Sequence, residues 1–163
     1  SVELYDWGMA VDTITGLDHL EGETVGVLGD GYVQAQQVVT GGEITITPAV
    51  VVHVGLPYVS DFETLDINVP GGETVRGRSK GVKEVSILVQ DSRSILVGPD
   101  ADHLDEIESR EAEGYQSPPG LLTGLTEATI PSSWSEGGRI FIRQSDPLPL
   151  SILGVIPSVV FGE

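Results

Sequence analysis

Residues 23–39 read "ETVGVLGDGYVQAQQVV", and this stretch decides the fold. Val25 and Val27 alternate with small or polar residues ahead of the central "GDG", which is the period-two pattern of a β-strand. Asp and Gly tolerate the positive φ angles of a two-residue hairpin turn, so Asp30-Gly31 is predicted to form that turn. The stretch therefore predicts an antiparallel hairpin with its turn at 29–31.

The same alternation recurs along the chain between glycine-rich turns. The runs lie at 44–46, 50–54, 65–69, 85–89 and 140–142, and the turn signals at 40–42, 70–72 and 136–138. A spacing of about ten residues between turns is typical of an antiparallel sandwich or barrel rather than a parallel sheet. We therefore predict an all-β fold with at most one short helix, which the sequence "DHLDEIESREAEG" places at 102–114.

A chain of 163 residues forms one domain or two small lobes. The segment "LPYVSDFE" breaks the alternation, so we predict a β lobe at 1–60 and a second at 61–163 that meet near 57–65; one compact domain is the alternative. Second-lobe strands are expected near 82–97, 123–130 and 138–156. The chain opens "SVELYDW" without Met or a signal-like segment, which indicates a fragment of a larger chain.

The residue content excludes several kinds of site. The chain has no cysteine, so disulfides, thiolate zinc sites and cysteine nucleophiles are absent. No apolar run reaches the length of about 18 residues that suggests a membrane-spanning helix. The sequence therefore predicts no membrane span, and we expect no cofactor.

The charge is strongly one-sided, with 25 acidic residues against eight Lys and Arg and a net charge of −17. The first 75 residues contain no Lys or Arg. Wrapping nucleic acid requires basic clusters, so sequence-specific nucleic-acid binding is not expected. The one basic cluster, "RGRSKGVK", holds Arg76, Arg78, Lys80 and Lys83. It is either a solvated loop or a contact for an acidic surface, such as another copy of this chain.

His19 and Glu21 are candidates for a catalytic dyad because residues two apart on an extended segment point to one face. A dyad also needs a nucleophile, a metal or an oxyanion site close by. The sequence contains no nucleophile elbow, phosphate-binding loop or His-Glu-x-x-His motif, and its three histidines are scattered. We therefore predict that the protein is not an enzyme.

The sequence "GPDADHLDEIE" at 98–108 places hard oxygen ligands close together at Asp100, Asp102 and Asp105. Calcium prefers such ligands, but Leu104 and Asp105 stand where a calcium-binding EF-hand loop has an oxygen ligand and a glycine. These three residues are weak metal candidates. A solvated acidic loop is the alternative, and we expect no bound metal.

Four segments resemble a known family in their order and spacing: "GLDHLEGETVGVLGDG" at 16–31, "VVVHVGLPYVSDFETLDI" at 50–67, "KGVKEVSILVQDSRSILVGP" at 80–99 and "GRIFIRQSDPLPLSILGVIPSVVFG" at 138–162. The chain resembles the C-terminal region of the tail nozzle, or tail tubular protein B, of short-tailed bacteriophages and related prophages. The resemblance implies a structural subunit made in the host cytoplasm and located in the virion tail. Its partners would be other tail proteins and its own copies, in a ring-like hexamer through which DNA is ejected, and it brings no catalytic residues.

Subunit contacts of such an assembly would involve exposed aromatic residues, because aromatics dominate interface hot spots. The candidates are Tyr58, Tyr115 and Trp134, together with the basic cluster. An alternative function is a β-sandwich binding module of a tail protein that recognises a host-surface glycan or receptor, with calcium at the three aspartates of 98–108. The acidic residues would either line a DNA channel or coat the outer surface.

Overall fold

The computed structural model describes residues 2–5, for their backbone alone, 8–68, 78–107, 120–131 and 134–162. The strands in these residues are β1 Val2–Tyr5, β2 Val11–Thr15, β3 Thr24–Gly29, β4 Tyr32–Val38, β5 Glu43–Ala49, β6 Val51–Gly55, β7 Ser60–Glu63, β8 Lys80–Ser92, β9 Leu96–Asp100, β10 His103–Glu106, β11 Leu122–Thr129, β12 Trp134–Ser135, β13 Phe141–Gln144 and β14 Ile152–Phe161. The described residues also contain one 3-10 turn, Asp18–Leu20. The predicted all-β, sandwich-like class is confirmed.

The chain divides into two compact units. The first runs to Tyr58 and includes Ser145–Pro147. The second holds the described residues within Val59–Arg110, Gly120–Gln144 and Leu148–Glu163. Each unit has its own cluster of buried apolar side chains.

In the first unit, an antiparallel sheet has the order β1-β6-β3-β4, and β2 pairs with β5. Both sheets contribute to one core; its buried residues are Ile14, Leu17, Val25, Val27, Val39, Ile44, Ile46, Ala49, Val52 and Val54. The alternation along β6, and along β5 as far as Ile46, places every second side chain in this core. Asp30 and Gly31 have φ angles of 50° and 80°, as the predicted two-residue turn between β3 and β4 requires.

In the second unit, one sheet has the order β10-β9-β13-β7. A second sheet is built on the 13-residue strand β8, which pairs with β11, β12 and β14. Their shared core consists of Val82, Val85, Ile87, Val89, Ile95, Val97, Ile107, Ile130, Ile140 and Ile142. At Gly98 the β9–β10 hairpin is so tight that an added β-carbon would overlap the carbonyl oxygen of His103. Close backbone approach, not turn conformation, explains this glycine.

The predicted helix at 102–114 is wrong where the structure describes it. His103–Glu106 is strand β10, paired antiparallel with β9. The Asp100 carboxylate accepts the backbone N–H groups of Asp102 and His103 at 3.0 Å each, which turns the chain back on β9. The Ile107 N–H then donates to the Ile95 carbonyl, and Ile107 is buried in the core. Residues 108–114 lie outside the described residues.

The alternating run at 65–69 does not form the predicted strand over 65–68, and Val69 lies outside the described residues. Leu65 is 88% exposed, whereas Ile67 packs against the second core and its N–H donates to the Gly137 carbonyl. The Ile67–Gly137 hydrogen bond holds this segment in place, but residues 65–68 form no strand.

Candidate functional site

The His19–Glu21 segment connects two loops through hydrogen bonds of the Glu21 carboxylate. Residues 18–20 form a 3-10 turn, so the predicted extended segment is wrong there. The two carboxylate oxygens of Glu21 accept the N–H groups of Gly41 and Gly42 at 3.0 and 2.8 Å. The Gly42 bond and then the Gly41 bond hold the pKa of Glu21 below its ordinary value. Glu21 therefore fixes one turn against another.

Asp30 forms the β3–β4 turn and also binds the backbone of a distant turn through its carboxylate. The sequence did not indicate this second role. Its carboxylate accepts the N–H of Val51 at 2.7 Å and the N–H of Val50 at 3.0 and 3.1 Å. Its own N–H donates to the Val51 carbonyl at 2.8 Å. The β3–β4 turn is thereby joined to the corner between β5 and β6.

The weak metal candidates lie on the β9–β10 turn. Asp100 Oδ1 contacts His103 Nδ1 at 2.8 Å in addition to its two backbone partners. The hydrogen bond to His103 is the largest cause of the lowered pKa of Asp100, and the same bond raises the pKa of His103. Within the described ranges, no three His, Asp or Glu side chains are grouped so that they could hold a metal ion. The Asp100 carboxylate shapes a turn.

The basic cluster is split by burial. Lys80 is 1% exposed and its Nζ donates to the Glu136 carbonyl, so its inclusion in an exposed cluster is corrected. Its stem is covered because Lys80 begins β8 at a position that faces inward. Arg78 and Lys83 are exposed, and Arg76 lies outside the described residues.

Two arginines, in β13 and just before it, form ion pairs with acidic residues in β7 and just after it. The sequence did not indicate these pairs. Arg143 binds Asp61 through two bonds of 2.7 and 2.9 Å, and lies 5.3 Å from the centre of the Phe141 ring. Arg139 binds Asp66 at 2.6 Å and Glu63 at 3.3 Å. The Arg143 bond is the largest cause of the lowered pKa of Asp61.

The outer face of the β11–β8–β14 sheet carries exposed apolar side chains beside polar ones. Leu88 lies directly across from Leu125 on one side and Gly154 on the other. Directly paired residues share a face, and this face is opposite the buried Ile87 and Val89. Two residues along β8, Ser86 pairs with Ile156 on one side and Glu127 on the other. We call this surface the leucine face; its exposed apolar residues are Leu88, Leu125 and Ile156.

Trp134, a predicted contact residue, lies at the far end of the same sheet. It pairs with Gly81 at the start of β8, and a β-carbon added at Gly81 would lie 3.6 Å from the indole ring. Trp134 remains 54% exposed. Tyr115, another candidate, lies outside the described residues.

A groove of about 460 Å³ lies on the outer face of the β6–β3–β4 sheet in the first unit. Its floor includes Gly26 and Gly55, which are directly paired across β3 and β6. A wall begins at the end of β6, where Leu56, Pro57 and Tyr58 line the groove. Tyr58, the third aromatic candidate, is 77% exposed.

The described residues contain no helix that is long and apolar enough to cross a membrane. No protein-family model matches the chain, and no curated protein matches it.

Proposed function

We propose that this chain is a structural subunit of a bacteriophage tail, located in the tail nozzle through which DNA is ejected. The starting point is the resemblance of four segments, 16–31, 50–67, 80–99 and 138–162, to tail nozzle proteins. The protein would be made in the host cytoplasm and assembled into the virion tail as a ring-like hexamer with other tail proteins. It would act as a scaffold and not as an enzyme.

The observation that carries this proposal is the leucine face. Leu125 and Ile156 are 57% and 58% exposed on one sheet of the second unit. Contiguous exposed apolar surface on a soluble protein commonly marks a contact with another protein. Fully burying one such side chain contributes about 1.5–3 kcal/mol, a gain that opposes the mutual repulsion of strongly acidic chains.

The acidity of the first unit supports a position beside the channel through which DNA passes. The first unit up to Tyr58 contains no Lys or Arg, and duplex DNA carries one negative charge per about 1.7 Å. An acidic wall repels DNA and keeps it sliding, whereas a basic wall binds it. We therefore assign the first unit to the lumen of the ring, and Arg78 and Lys83 to a subunit contact or the exterior.

Assembly of the 163-residue chain tests the proposal. Sedimentation velocity over a range of concentrations, with negative-stain imaging, should show closed rings. Leu125→Asn and Ile156→Asn should each shift the chain to monomers because each places an amide in the apolar contact. Leu65→Asn is the matched control, since Leu65 is more exposed and lies off the leucine face.

A chain that stays monomeric at every concentration would refute the assembly role, as would rings unaffected by both leucine-face variants. A catalytic activity that disappears in His19→Ala or Glu21→Ala would refute the scaffold role in another way. Rings whose lumen is lined by Arg78 and Lys83, with the acids outside, would refute the channel assignment alone.

A further inference from the structure

Two strand glycines in the first unit have no conformational reason to be glycine. Gly26 and Gly55 are paired across β3 and β6, and neither has a φ in the left-handed region. A β-carbon at Gly55 would meet no heavy atom within 4 Å, and one at Gly26 would make ordinary contacts of 3.8 and 3.9 Å. This differs from Gly98, where an added β-carbon overlaps backbone.

Glycine inside a strand has a known use. It costs stability relative to a residue with a side chain, and it commonly marks a place where a ligand or another backbone approaches closely. The Gly26–Gly55 pair forms the floor of the groove. The groove therefore has the form of a binding site with two side chains removed from its floor.

The groove has the size and lining of a small-molecule site. Its volume of about 460 Å³ falls in the range of about 300–1,000 Å³ typical of ligand pockets. On one side of the floor, the cross-strand row His53–Leu28–Val33 contributes mostly apolar surface. On the other side lie Pro57 and the exposed ring of Tyr58.

The polar groups indicate what kind of molecule fits. The lining includes the Gln36 amide, the Ser145 hydroxyl and the Asp146 carboxylate, and Ser145–Pro147 belong to the same unit. The described lining contains no Lys or Arg, and the chain up to Tyr58 has none. The described lining therefore offers an anionic ligand no basic side chain.

An extended peptide fits poorly for a different reason. Strand β3 is paired on both sides, with β6 and β4, and β6 is paired with β1 and β3. Val27 and Leu28 in the groove lining are paired on both sides, so a peptide backbone lying on this face would find few hydrogen-bond partners there. A ligand that presents hydroxyl groups and an apolar face needs no such ladder.

We propose that this groove binds an uncharged saccharide. The Tyr58 ring would pack against the apolar C–H face of one sugar ring, and Gln36, Ser145 and Asp146 would bind its hydroxyls. The absence of side chains at Gly26 and Gly55 lets the ring lie close to the sheet. This inference is independent of the assembly role, because it uses the first unit and not the leucine face.

Saturation-transfer NMR on the 163-residue chain tests the proposal. The probes are the methyl glycosides of glucose, galactose and mannose, together with N-acetylglucosamine, and N-acetylneuraminic acid serves as the anionic comparison. At least one neutral sugar should receive saturation. Gly55→Val should abolish the signal, because its side chain would fill the groove floor, while the melting temperature stays equal or rises.

Two more variants complete the design. Tyr58→Ala should weaken binding about three- to tenfold through loss of the ring contact. Gly154→Val is the matched control: it also fills an unstrained strand glycine, with only the Leu88 β-carbon at 3.9 Å, but in the other unit. Its binding should equal that of the unaltered chain. No signal from any neutral sugar, binding of N-acetylneuraminic acid alone, or unchanged binding in Gly55→Val would each overturn the proposal.

Discussion

The two units use their carboxylates in different ways. In the first unit, Glu21 and Asp30 accept backbone N–H groups from distant turns. In the second unit, Asp61 and Asp66 bind the arginines of β13 and of the residues just before it. The first unit up to Tyr58 contains no Lys or Arg with which it could do the same.

The difference shows how a unit without bases can use its acids structurally. A backbone N–H satisfies a carboxylate without a counter-charge, and such a bond favours the ionised form. An arginine pair at the surface is weaker than its geometry suggests, because water and salt screen it. The two units should therefore differ in their response to backbone strain, salt and pH.

The largest expected effect is a loss of stability that is confined to the second unit. Gly98→Ala should destabilise the second unit by about 4 kcal/mol or more, because the added carbon overlaps backbone that cannot move without breaking the hairpin. Hydrogen exchange should show lost protection in β9 and β10 and unchanged protection in β3. Loss of protection in both units to the same degree would show that they do not respond separately.

A smaller effect is expected from the turn of the first unit. Asp30→Ala places alanine at a φ of 50° and removes the acceptor for Val50 and Val51, which should cost about 2 kcal/mol. Asp30→Asn should cost less, since asparagine tolerates this φ and keeps one acceptor oxygen. Chemical denaturation measures both. Equal losses would contradict this expectation, because they would mean that neither the retained acceptor oxygen nor the tolerance of asparagine for this φ contributes.

Salt should distinguish the two uses of carboxylates. Arg143→Gln should lower the melting temperature modestly at low ionic strength, and the difference should shrink near 1 M salt, where the screening length is about 3 Å. Glu21→Ala removes a tie to backbone N–H groups and should lower the melting temperature by a similar amount at both salt concentrations. A reversed pattern would contradict the comparison.

The smallest expected effect concerns Asp100, whose carboxylate binds both backbone N–H groups and a titratable side chain, His103. Its bond to His103 raises the pKa of His103 above 6.5, so this stabilisation is fully present below pH 6.5 and is lost as the pH rises through the raised value. The pKa of Asp100 is lowered from 3.8, so its stabilisation is present above pH 3.8 and is lost as the pH falls through the lowered value. The pair therefore stabilises the turn between these limits.

An NMR titration of His103 tests the pairing directly. Asp100→Asn should move the pKa of His103 down towards its ordinary value, because the amide lacks the negative charge that favours the protonated imidazole. A His103 titration that is the same in both chains would exclude the pair.

The sequence predicted those elements whose pattern is local. The β3–β4 hairpin depends on Asp30, Gly31 and the alternation beside them, all within a few residues. The predicted helix at 102–114 was wrong. The three-residue spacing of Leu104 and Ile107 is compatible with a helix, but the contact that decides the structure, between Ile107 and Ile95, belongs to the tertiary fold. Local spacing could not distinguish the two.

The candidate surfaces depend on register between distant strands. Gly26 and Gly55 become neighbours only when β3 pairs with β6, and Arg143 meets Asp61 only through the β7–β13 pairing. The burial of Lys80 likewise depends on a carbonyl 56 residues away, at Glu136. The sequence indicated Tyr58 and Trp134 as candidate contact residues, but not the groove or the sheet beside them.

The central strand β8 also sets the order in which the protein can fold during synthesis. Its partners β11 and β14 both follow it, and β14 pairs with residues made roughly 60 to 80 positions earlier. At about 5–20 residues per second, one edge of β8 stays without its partner for several seconds on the ribosome. An unpaired edge is a template for other strands, so crowded nascent chains compete with β14 for it. Slower translation between 92 and 152 should therefore lower the yield of folded protein.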